Sequence, residues 1–264
     1  MDLQLAGKKA LVTGSTAGIG LAIAEALAVE GASVIINGRT QARVDAALAQ
    51  VRAKNPSGPL EGLAADLGGA IGIALAIQAF PDVDILINNL GIFEPKPFEQ
   101  ITDEDWFRFF EVNVMSGVRL SRHHLPLMKH RNWGRIVFVS SESGLQIPKE
   151  MVHYGVTKTA QLAVARGMAE TTKGTAVTVN SVLPGPTESE GVSQFVDQLA
   201  ANNKVTRQEI EREFFKTGRP SSLLQRFERP EEIAALVAFV VSPLASGING
   251  AALRVEGGVV QSIG

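Results

Sequence analysis

The sequence contains no cysteine, and this absence excludes several kinds of chemistry. Disulfides, thiolate zinc sites and a cysteine nucleophile are all ruled out. The lack of cysteine also fits a reducing compartment, and we expect a cytoplasmic protein. Tyrosine is almost as scarce, since only one of the 264 residues is a tyrosine, Tyr154. Any role for a phenol in this protein must therefore fall to Tyr154.

Long basic runs and long apolar runs are also missing. The formal net charge is −2, so nothing in the composition indicates nucleic acid. The apolar stretch IAALVAFVVSPLA is interrupted by Pro243 and is too short to span a bilayer. The N-terminus has charges too early and too little apolar length for a signal peptide. We therefore expect neither a nucleic-acid partner nor a membrane partner.

What the chain does have is a regular alternation of two kinds of segment. Short runs rich in β-branched residues, such as KALVTG, SVIING, VDILINN and RIVFVSS, alternate with Ala-rich amphipathic stretches. This alternation predicts βαβ units and a parallel sheet covered by helices on both faces. No repeat or linker divides the chain, so we expect one domain over residues 1–264. The region from Pro184 to about Pro230 is irregular and interrupts the pattern.

A glycine-rich segment, TGSTAGIG, follows the first predicted strand. Its glycines are Gly14, Gly18 and Gly20, where a strand gives way to a helix. Backbone N–H groups and the helix dipole face outward at such a turn, and the missing side chains let a phosphate approach closely. The segment therefore predicts an anion-binding site at the carboxyl edge of the sheet.

The single tyrosine lies four residues before a lysine in HYGVTKTA, which we predict to be helical. Residues four apart share one face of a helix, so Tyr154 and Lys158 are expected to point into the same space. An ammonium about 4 Å from the phenol would lower the tyrosine pKa by roughly three units at an effective dielectric constant of about 20. The pair therefore predicts a phenol that moves protons near neutral pH.

Together, TGSTAGIG, NNLG (Asn88–Gly91), Ser141 and YGVTK resemble the motifs of the short-chain dehydrogenase/reductase family, in family order and over essentially the whole chain. The resemblance implies a doubly wound Rossmann-type domain with a seven-stranded parallel sheet, and NAD(P)-dependent interconversion of carbonyls and alcohols. It makes Tyr154 the general acid/base, and it makes Lys158 the residue that holds the nicotinamide ribose and lowers the tyrosine pKa. Ser141 would donate to the substrate oxygen, and the backbone carbonyl of Asn113 would hold a water in a proton relay.

The resemblance also implies the cofactor contacts, which are expected at Gly14, Ser15, Thr16, Gly18, Ile19, Gly20, Arg39, Asp66, Leu67, Asn89, Gly91, Tyr154, Lys158, Pro184, Gly185, Thr187 and Ser189. NAD enzymes carry an acid after the second strand, whereas this chain has Gly38 and then Arg39, which favours the 2′-phosphate of NADP(H). The second basic residue that many NADP members carry before the middle glycine is replaced by Ala17. Asp66 matches an adenine ligand or is a helix N-cap, and either Thr187 or Ser189 contacts the nicotinamide side.

We expect residues 187–227, after the sixth strand, to form a helical lid over an apolar substrate pocket. The pattern of Val192, Phe195, Val196 and Leu199 predicts one apolar helix face, and a second helical stretch carries Ile210, Phe214 and Phe215. The opposite wall is expected to include Phe93, Leu145, Ile147 and Met151. Such a pocket would favour bulky hydrophobic ketones.

The resemblance implies a homotetramer or a homodimer. Phe107, Phe110, Val114 and Val118 would supply either the core face of a long helix or the contact between subunits. An NADPH-dependent ketoreductase or alcohol dehydrogenase is the expected function. A 3-oxoacyl-carrier-protein reductase and a non-catalytic NAD(P)-binding sensor or scaffold are the alternatives. His123 and His124 are adjacent and do not share a helix face, so we predict no metal site, and we expect no catalytic role for His153.

Overall fold

The computed structural model describes residues 1–54 and 59–263, with all their side chains except those of Glu190, Gln194, Phe195 and Leu199, and in them seven parallel strands form one sheet. The strands are β1 (Lys9–Val12), β2 (Ser33–Gly38), β3 (Leu60–Ala64), β4 (Ile85–Asn88), β5 (Gly134–Val139), β6 (Val177–Pro184) and β7 (Ala252–Val255). Their order is β3-β2-β1-β4-β5-β6-β7, so the strand order reverses between β1 and β4. Ligands of doubly wound sheets bind at the carboxyl ends of the strands beside such a reversal.

Helices cover both faces of the sheet, which confirms the predicted doubly wound fold. They are α1 (Gly18–Val29), α2 (Gln41–Lys54), α3 (Ala70–Ala79), α4 (Asp103–Phe110), α5 (Ser116–His130), α6 (Val152–Glu170), α7 (Glu190–Asn203), α8 (Arg207–Glu213) and α9 (Pro230–Val240). Within the described residues, no helix is long and apolar enough to cross a membrane.

Two apolar cores explain why the strands carry apolar residues on both faces. Alternate residues of a strand point to opposite faces, so Ala10 and Val12 of β1 pack in the core with α1, α2 and α9, while Leu11 packs in the core with α3, α5 and α6. Both cores end at the carboxyl edge of the sheet. The polar residues that follow the strands are therefore gathered at one edge.

The long helix expected to carry Phe107, Phe110, Val114 and Val118 is interrupted in the structure. Thr102 caps α4 through a capping box with Asp105, as a helix start should. After α4, a π-helical turn spans Glu111–Met115, and α5 continues from Ser116. Single π-helical turns are frequent at functional sites, and this one contains Asn113.

Gly72, in the first turn of α3, lies directly against the backbone before the helix. A Cβ built on Gly72 would lie 1.8 Å from the carbonyl oxygen of Asp66. We therefore expect Gly72→Ala to lower the free energy of unfolding by about 2 kcal/mol or more, because the backbone would have to shift. Urea denaturation measures the change.

The same substitution at Gly167 is the matched control. Gly167 lies inside α6, and a Cβ there meets nothing within 4 Å. Gly167→Ala should stabilise the protein by about 0.5 to 1 kcal/mol through helix propensity. Equal unfolding free energies for the two variants would contradict the steric argument for Gly72.

Candidate active site

The glycine-rich loop joins β1 to α1 and has the backbone shape of an anion site. Gly14 and Gly18 have φ values of +61° and +55°, which side chains rarely adopt. A Cβ on Gly20 would lie 2.5 Å from the Nδ2 atom of Asn89 and from the Gly14 carbonyl oxygen. The N-cap of α1 is Ala17, and no side chain caps the first turn. The uncapped N–H groups at this helix start fit the phosphates of a dinucleotide.

Two asparagines hold the loop in place. The Asn89 amide donates to the carbonyl oxygens of Thr13 (2.9 Å) and Gly14 (3.1 Å). On the other side, Oδ1 of Asn37 accepts from the Gly14 N–H at 3.0 Å. Ser15 is fully buried, and its hydroxyl donates to the Val12 carbonyl at 2.7 Å, so its side chain supports the loop. Sequence reasoning missed Asn37, although a polar residue in the apolar β2 was the available signal.

A cavity of about 240 Å³ adjoins the start of α1. Its lining consists of Ala17, Gly18, Ile19, Gly20, Asn89, Ser189 and Gly191. Ser189 caps α7, because its hydroxyl accepts from the Val192 N–H at 3.3 Å. Thr187 is buried, and its hydroxyl donates to the Gly185 carbonyl at 2.9 Å. Of the two hydroxyls left open by the sequence, that of Ser189 belongs to the residue that faces the glycine-rich loop.

The turns after β6 and β4 each contain a glycine that lies close to another segment of the chain. Gly185 follows Pro184, the last residue of β6, and a Cβ on Gly185 would lie 2.6 Å from the Glu256 carbonyl oxygen. At the end of β4, a Cβ on Gly91 would lie 3.5 Å from Nζ of Lys158. Both glycines therefore permit close approaches at the carboxyl edge of the sheet.

The end of β2 has no space for the acid of NAD enzymes. A Cβ on Gly38 would lie 2.4 Å from Cγ2 of Thr16. Arg39 follows and is exposed. Arg43, on α2, approaches the same point, with its Nε donating to Oγ1 of Thr16 at 3.4 Å. Sequence reasoning missed Arg43. Its guanidinium lies at the loop and supplies the second positive charge there, which many NADP members take from a basic residue at the position of Ala17.

Asp66 follows β3 and is exposed. Its Oδ1 accepts from the Gly68 N–H at 2.9 Å, whereas the N-cap of α3 is Gly69. The alternative that Asp66 caps α3 is therefore wrong. The side chain of Leu67 is buried in the core, so only its backbone lies near the edge of the sheet.

Ser141, Tyr154 and Lys158 meet at the carboxyl end of β5. Nζ of Lys158 lies 5.6 Å from the centroid of the Tyr154 ring and donates to the Val139 carbonyl at 2.9 Å. Ser140 faces the other way, and its hydroxyl donates to the Lys158 carbonyl at 2.8 Å. The structure therefore places Ser141, and not Ser140, beside the tyrosine.

The Tyr154 pKa is shifted in the direction opposite to our expectation. Burial is the main cause that raises it, the Glu142 carboxylate raises it further, and hydrogen bonding with Ser141 lowers it. Lys158 is itself buried, which lowers its pKa to about 8, while Glu142 acts to raise it. Spacing on a helix predicts which groups meet, but the pKa depends on desolvation and on a carboxylate from another element.

That carboxylate belongs to a buried ion network absent from the sequence analysis. Glu142 accepts a hydrogen bond from the Ser141 hydroxyl. Arg219 donates from Nε to Glu142 and from Nη1 to Glu150, both at 3.0 Å. Glu142 and Arg219 are 77 positions apart in the chain, and both are buried. An acid directly after Ser141 was the only signal in the sequence.

Asn113 is buried and links the π-helical turn to its surroundings. Its amide contacts the Ile92 backbone through both Oδ1 (2.8 Å) and Nδ2 (3.0 Å), and Nδ2 also lies 3.0 Å from Oγ1 of Thr157. Its backbone carbonyl, expected to hold a water, accepts from the Gln161 amide at 2.6 Å.

The segment predicted to be a lid forms a small core of its own. Val192, Val196, Ile210, Phe214, Phe215 and Phe227 pack together. The side chains of Phe195 and Leu199 lie outside the described part of the chain. The apolar faces of α7 and α8 thus pack within the segment, because two short helices bury more surface against each other than over an open pocket. Its ends meet where Thr187 pairs with Glu228.

Apolar side chains flank the tyrosine on its exposed side. Phe93, Leu145 and Ile147 are each close to half exposed. The Phe93 ring meets the Tyr154 ring edge-on, with centroids 6.3 Å apart. Three of the four expected wall residues thus leave apolar surface free beside the site.

The histidines lie away from this chemistry. His124 and His153 are buried without hydrogen-bond partners, and burial lowers the pKa of both, that of His124 to about 4. His153 packs on Phe109, with ring centroids 4.0 Å apart. Across the described residues, no cluster of three or more His, Cys, Asp and Glu side chains has the geometry of a metal site.

Comparisons with known proteins agree with this geometry. The sequence model of the family described as short chain dehydrogenase matches residues 8–200. The uncharacterized oxidoreductase YvaG of Bacillus subtilis is 51% identical over the full length of both chains. The chain belongs to the short-chain dehydrogenase family.

As a short-chain dehydrogenase, the protein is an oxidoreductase that acts on CH–OH or carbonyl groups, and its fold binds a nicotinamide cofactor. D-beta-hydroxybutyrate dehydrogenase of Cupriavidus necator is 35% identical, with 97% of this chain and 99% of that protein covered. The structure of L-sorbose reductase from Gluconobacter frateurii, complexed with NADPH and L-sorbose, superposes with a TM-score of 0.93 at 29% identity and covers all of both chains.

Glu228 offers a test of the electrostatics at this edge of the sheet. It is buried and accepts from the Gly185 N–H at 3.0 Å. Burial, with the charges of Glu232, Glu256 and Glu142, raises its pKa from 4.5 to about 7 against the bond from Gly185. Between these values the folded state binds more protons than the unfolded state, so stability should fall as pH rises from 4.5 to 7.

Glu228→Gln removes this titration. The variant should therefore gain stability relative to the unaltered protein as pH rises. Its free energy of unfolding minus that of the unaltered protein should be about 2 kcal/mol higher at pH 8 than at pH 5. Urea denaturation of both proteins at the two pH values measures the difference. A difference that is the same at both pH values would contradict the raised pKa.

Proposed function

We propose that this protein is an NADPH-dependent ketoreductase that also runs as an alcohol dehydrogenase. The observation that carries the proposal is the meeting of Ser141, Tyr154 and Lys158 beside an uncapped helix start and a glycine-rich loop. The Tyr154–Lys158 distance of 5.6 Å from Nζ to ring centroid places a cation next to the only phenol. All three groups that proton transfer requires are present, which disfavours a non-catalytic sensor.

In this proposal, the residues divide the work around one carbonyl oxygen. A bound nicotinamide supplies the hydride in reduction and takes it up in oxidation. Tyr154 gives a proton to the oxygen that becomes a hydroxyl, and Ser141 holds that oxygen in place. Lys158 holds the cofactor ribose, and the Asn113 carbonyl holds a water that returns protons to the site.

Tyr154 is protonated at neutral pH, as the reductive direction requires. A phenol whose pKa is raised above its usual value stays protonated at neutral pH, so Tyr154 is ready to donate. Lys158, with a pKa near 8, is mostly charged at neutral pH and stabilises any negative charge on the phenol oxygen. The rate of alcohol oxidation would increase as pH rises, because that direction needs the deprotonated phenol.

For the cofactor, we propose that Arg39 and Arg43 bind the 2′-phosphate of NADPH together. Thr16 occupies the space of the acid that would bind a free ribose 2′-hydroxyl. Arg43 already reaches Thr16, so a phosphate at this point would meet two guanidinium groups. The loop from Gly14 to Gly20 takes the pyrophosphate, Asp66 and the Leu67 backbone lie by the adenine, and Ser189 with Pro184 and Gly185 lies by the nicotinamide.

We further propose that residues 187–227 move as a unit over the substrate, since their helices share a core. The pairing of Thr187 with Glu228 would be the base of this movement. A homodimer or homotetramer is also proposed, because Phe107 on α4 is about three-quarters exposed and Phe110 is partly exposed. Val114 is buried within the chain and belongs to the core. The expected cytoplasmic location stays a prediction.

Tyr154→Phe tests the acid/base role. The variant keeps the ring against Phe93 and loses only the hydroxyl, so it should reduce kcat by about 10²- to 10⁴-fold. Affinity for NADPH, measured by fluorescence titration, should be nearly unchanged. Residual activity above about a tenth of the unaltered enzyme would rule out the role.

The two arginines are tested by cofactor binding. Arg43→Ala and Arg39→Ala should each weaken NADPH binding by about 10-fold or more and leave NADH binding nearly unchanged, since each loses a charge-assisted hydrogen bond. Arg52→Ala, which removes another arginine from α2, is the matched control and should affect neither cofactor. Tighter binding of NADH than of NADPH by the unaltered protein would overturn the preference.

Three substitutions are needed to reverse the preference for NADPH over NADH: Gly38→Asp, Arg39→Ala and a third at Thr16. Because the new Cβ meets Cγ2 of Thr16 at 2.4 Å, Thr16→Ser must accompany them. The triple variant should favour NADH in kcat/KM, whereas Thr16→Ser alone should still favour NADPH.

A further inference from the structure

The proton of the Ser141 hydroxyl is already engaged by the protein itself. It accepts from the Ser143 N–H at 3.1 Å and donates its single proton to Oε2 of Glu142. A ketone oxygen only accepts hydrogen bonds. A simple ketone must therefore take the Ser141 proton away from a carboxylate, which is the stronger acceptor.

Glu142 is placed to receive a group from the substrate. It lies directly after Ser141 in the short 3-10 turn Glu142–Gly144, and its charge acts on both Tyr154 and Lys158. Its Oε1 is held by Arg219 at 3.0 Å, so the carboxylate is fixed with Oε2 towards Ser141. A carboxylate oxygen accepts more than one hydrogen bond, so Oε2 keeps acceptor capacity for a second donor.

We propose that the substrate carries a hydroxyl on the carbon next to the carbonyl, and that this hydroxyl donates to Glu142. In an α-hydroxyketone, the two oxygens are close enough to bridge two groups that are themselves hydrogen-bonded, as Ser141 and Glu142 are. The substrate hydroxyl replaces Ser141 as donor to Oε2, and Ser141 then turns its proton to the carbonyl oxygen. In the oxidative direction, the same site takes vicinal diols.

The charge of the ion network around Glu142 further restricts the class of substrate. Glu142 and Glu150 together carry one more negative charge than Arg219 neutralises, and Arg219 is engaged by both. Glu228 adds another acid whose pKa responds to Glu142. A substrate carboxylate in the place of the hydroxyl would lie against the Glu142 carboxylate and be repelled by it, because the Lys158 ammonium and Arg219 balance only the charges already present. The substrate is therefore a neutral α-hydroxyketone, whose carbon chain contacts Phe93, Leu145 and Ile147.

This inference rests on the proposed reductase function, and matched substrate pairs test it. The pairs are 3-hydroxy-2-butanone with 2-butanone, and 2-hydroxycyclohexanone with cyclohexanone, with acetoacetate as the charged comparison. With saturating NADPH, kcat/KM should be about 10- to 150-fold higher for the hydroxylated member of each pair, the range expected for a hydrogen bond to a charged group. Acetoacetate should be the poorest of the five.

Glu142→Gln should reduce this preference about tenfold, since a neutral amide oxygen accepts more weakly. Glu150→Gln is the matched control: it alters the same ion network without touching Ser141, and the preference should be unchanged. As a readout that needs no turnover, 2,3-butanediol should raise the unfolding temperature of the NADP⁺ complex more than 2-butanol does. That difference should disappear in Glu142→Gln.

If the Glu142→Gln variant does not fold, the kcat/KM values of the substrate pairs and the diol comparison in the unaltered protein still test the inference. Equal kcat/KM values within both pairs would overturn the inference and leave the reductase function standing. A faster reaction of acetoacetate than of the hydroxyketones would also overturn it. Reduction of none of the five compounds would instead overturn the proposed function, and this inference with it.

Discussion

Polar bonds fasten α6 to the end of β5, and the candidate site depends on them. Nζ of Lys158 donates to the Val139 carbonyl, and the Ser140 hydroxyl donates to the Lys158 carbonyl. At the next residue, the Thr159 hydroxyl donates to the Gly144 carbonyl at 2.7 Å. These bonds fix the rotation and height of α6 relative to the sheet. Tyr154 can face Ser141 only because that position is set within the width of a hydrogen bond.

The same fastening explains the electrostatics. The Lys158 ammonium donates one hydrogen bond to a backbone carbonyl, so it holds α6 in position and also supplies a positive charge. Burial then acts on Tyr154 and Lys158 together, and it disfavours the charged form of each. The Glu142 carboxylate adds to the rise of the Tyr154 pKa and opposes the fall of the Lys158 pKa. The protonation of the pair is thus a property of three elements, β5, the turn after it and α6.

The sequence was a good guide wherever the signal was local. β-branched runs and glycine spacing predicted the sheet and the anion loop, because neighbouring residues determine both. Contacts between distant residues could not be predicted. Arg219 meets Glu142 across 77 positions, and Arg43 reaches Thr16 across 27, through the folding of the chain alone. The π-helical turn at Asn113 was also missed, since it inserts into a helical pattern without breaking the apolar periodicity. Pairing of lid helices with each other depends on relative orientation, which periodicity does not contain.

The contact between Gly38 and Thr16 has a consequence for how this chain can evolve. Each of the two residues lies in a separate motif, but they share one small volume at the end of β2. An acid that arrives first at position 38 would clash with the Thr16 methyl group, so Thr16 or its surroundings would have to shift. A smaller residue at position 16 removes this clash in advance, and it brings no benefit by itself. The route to a different cofactor is therefore ordered, and its first step is invisible to selection for that cofactor.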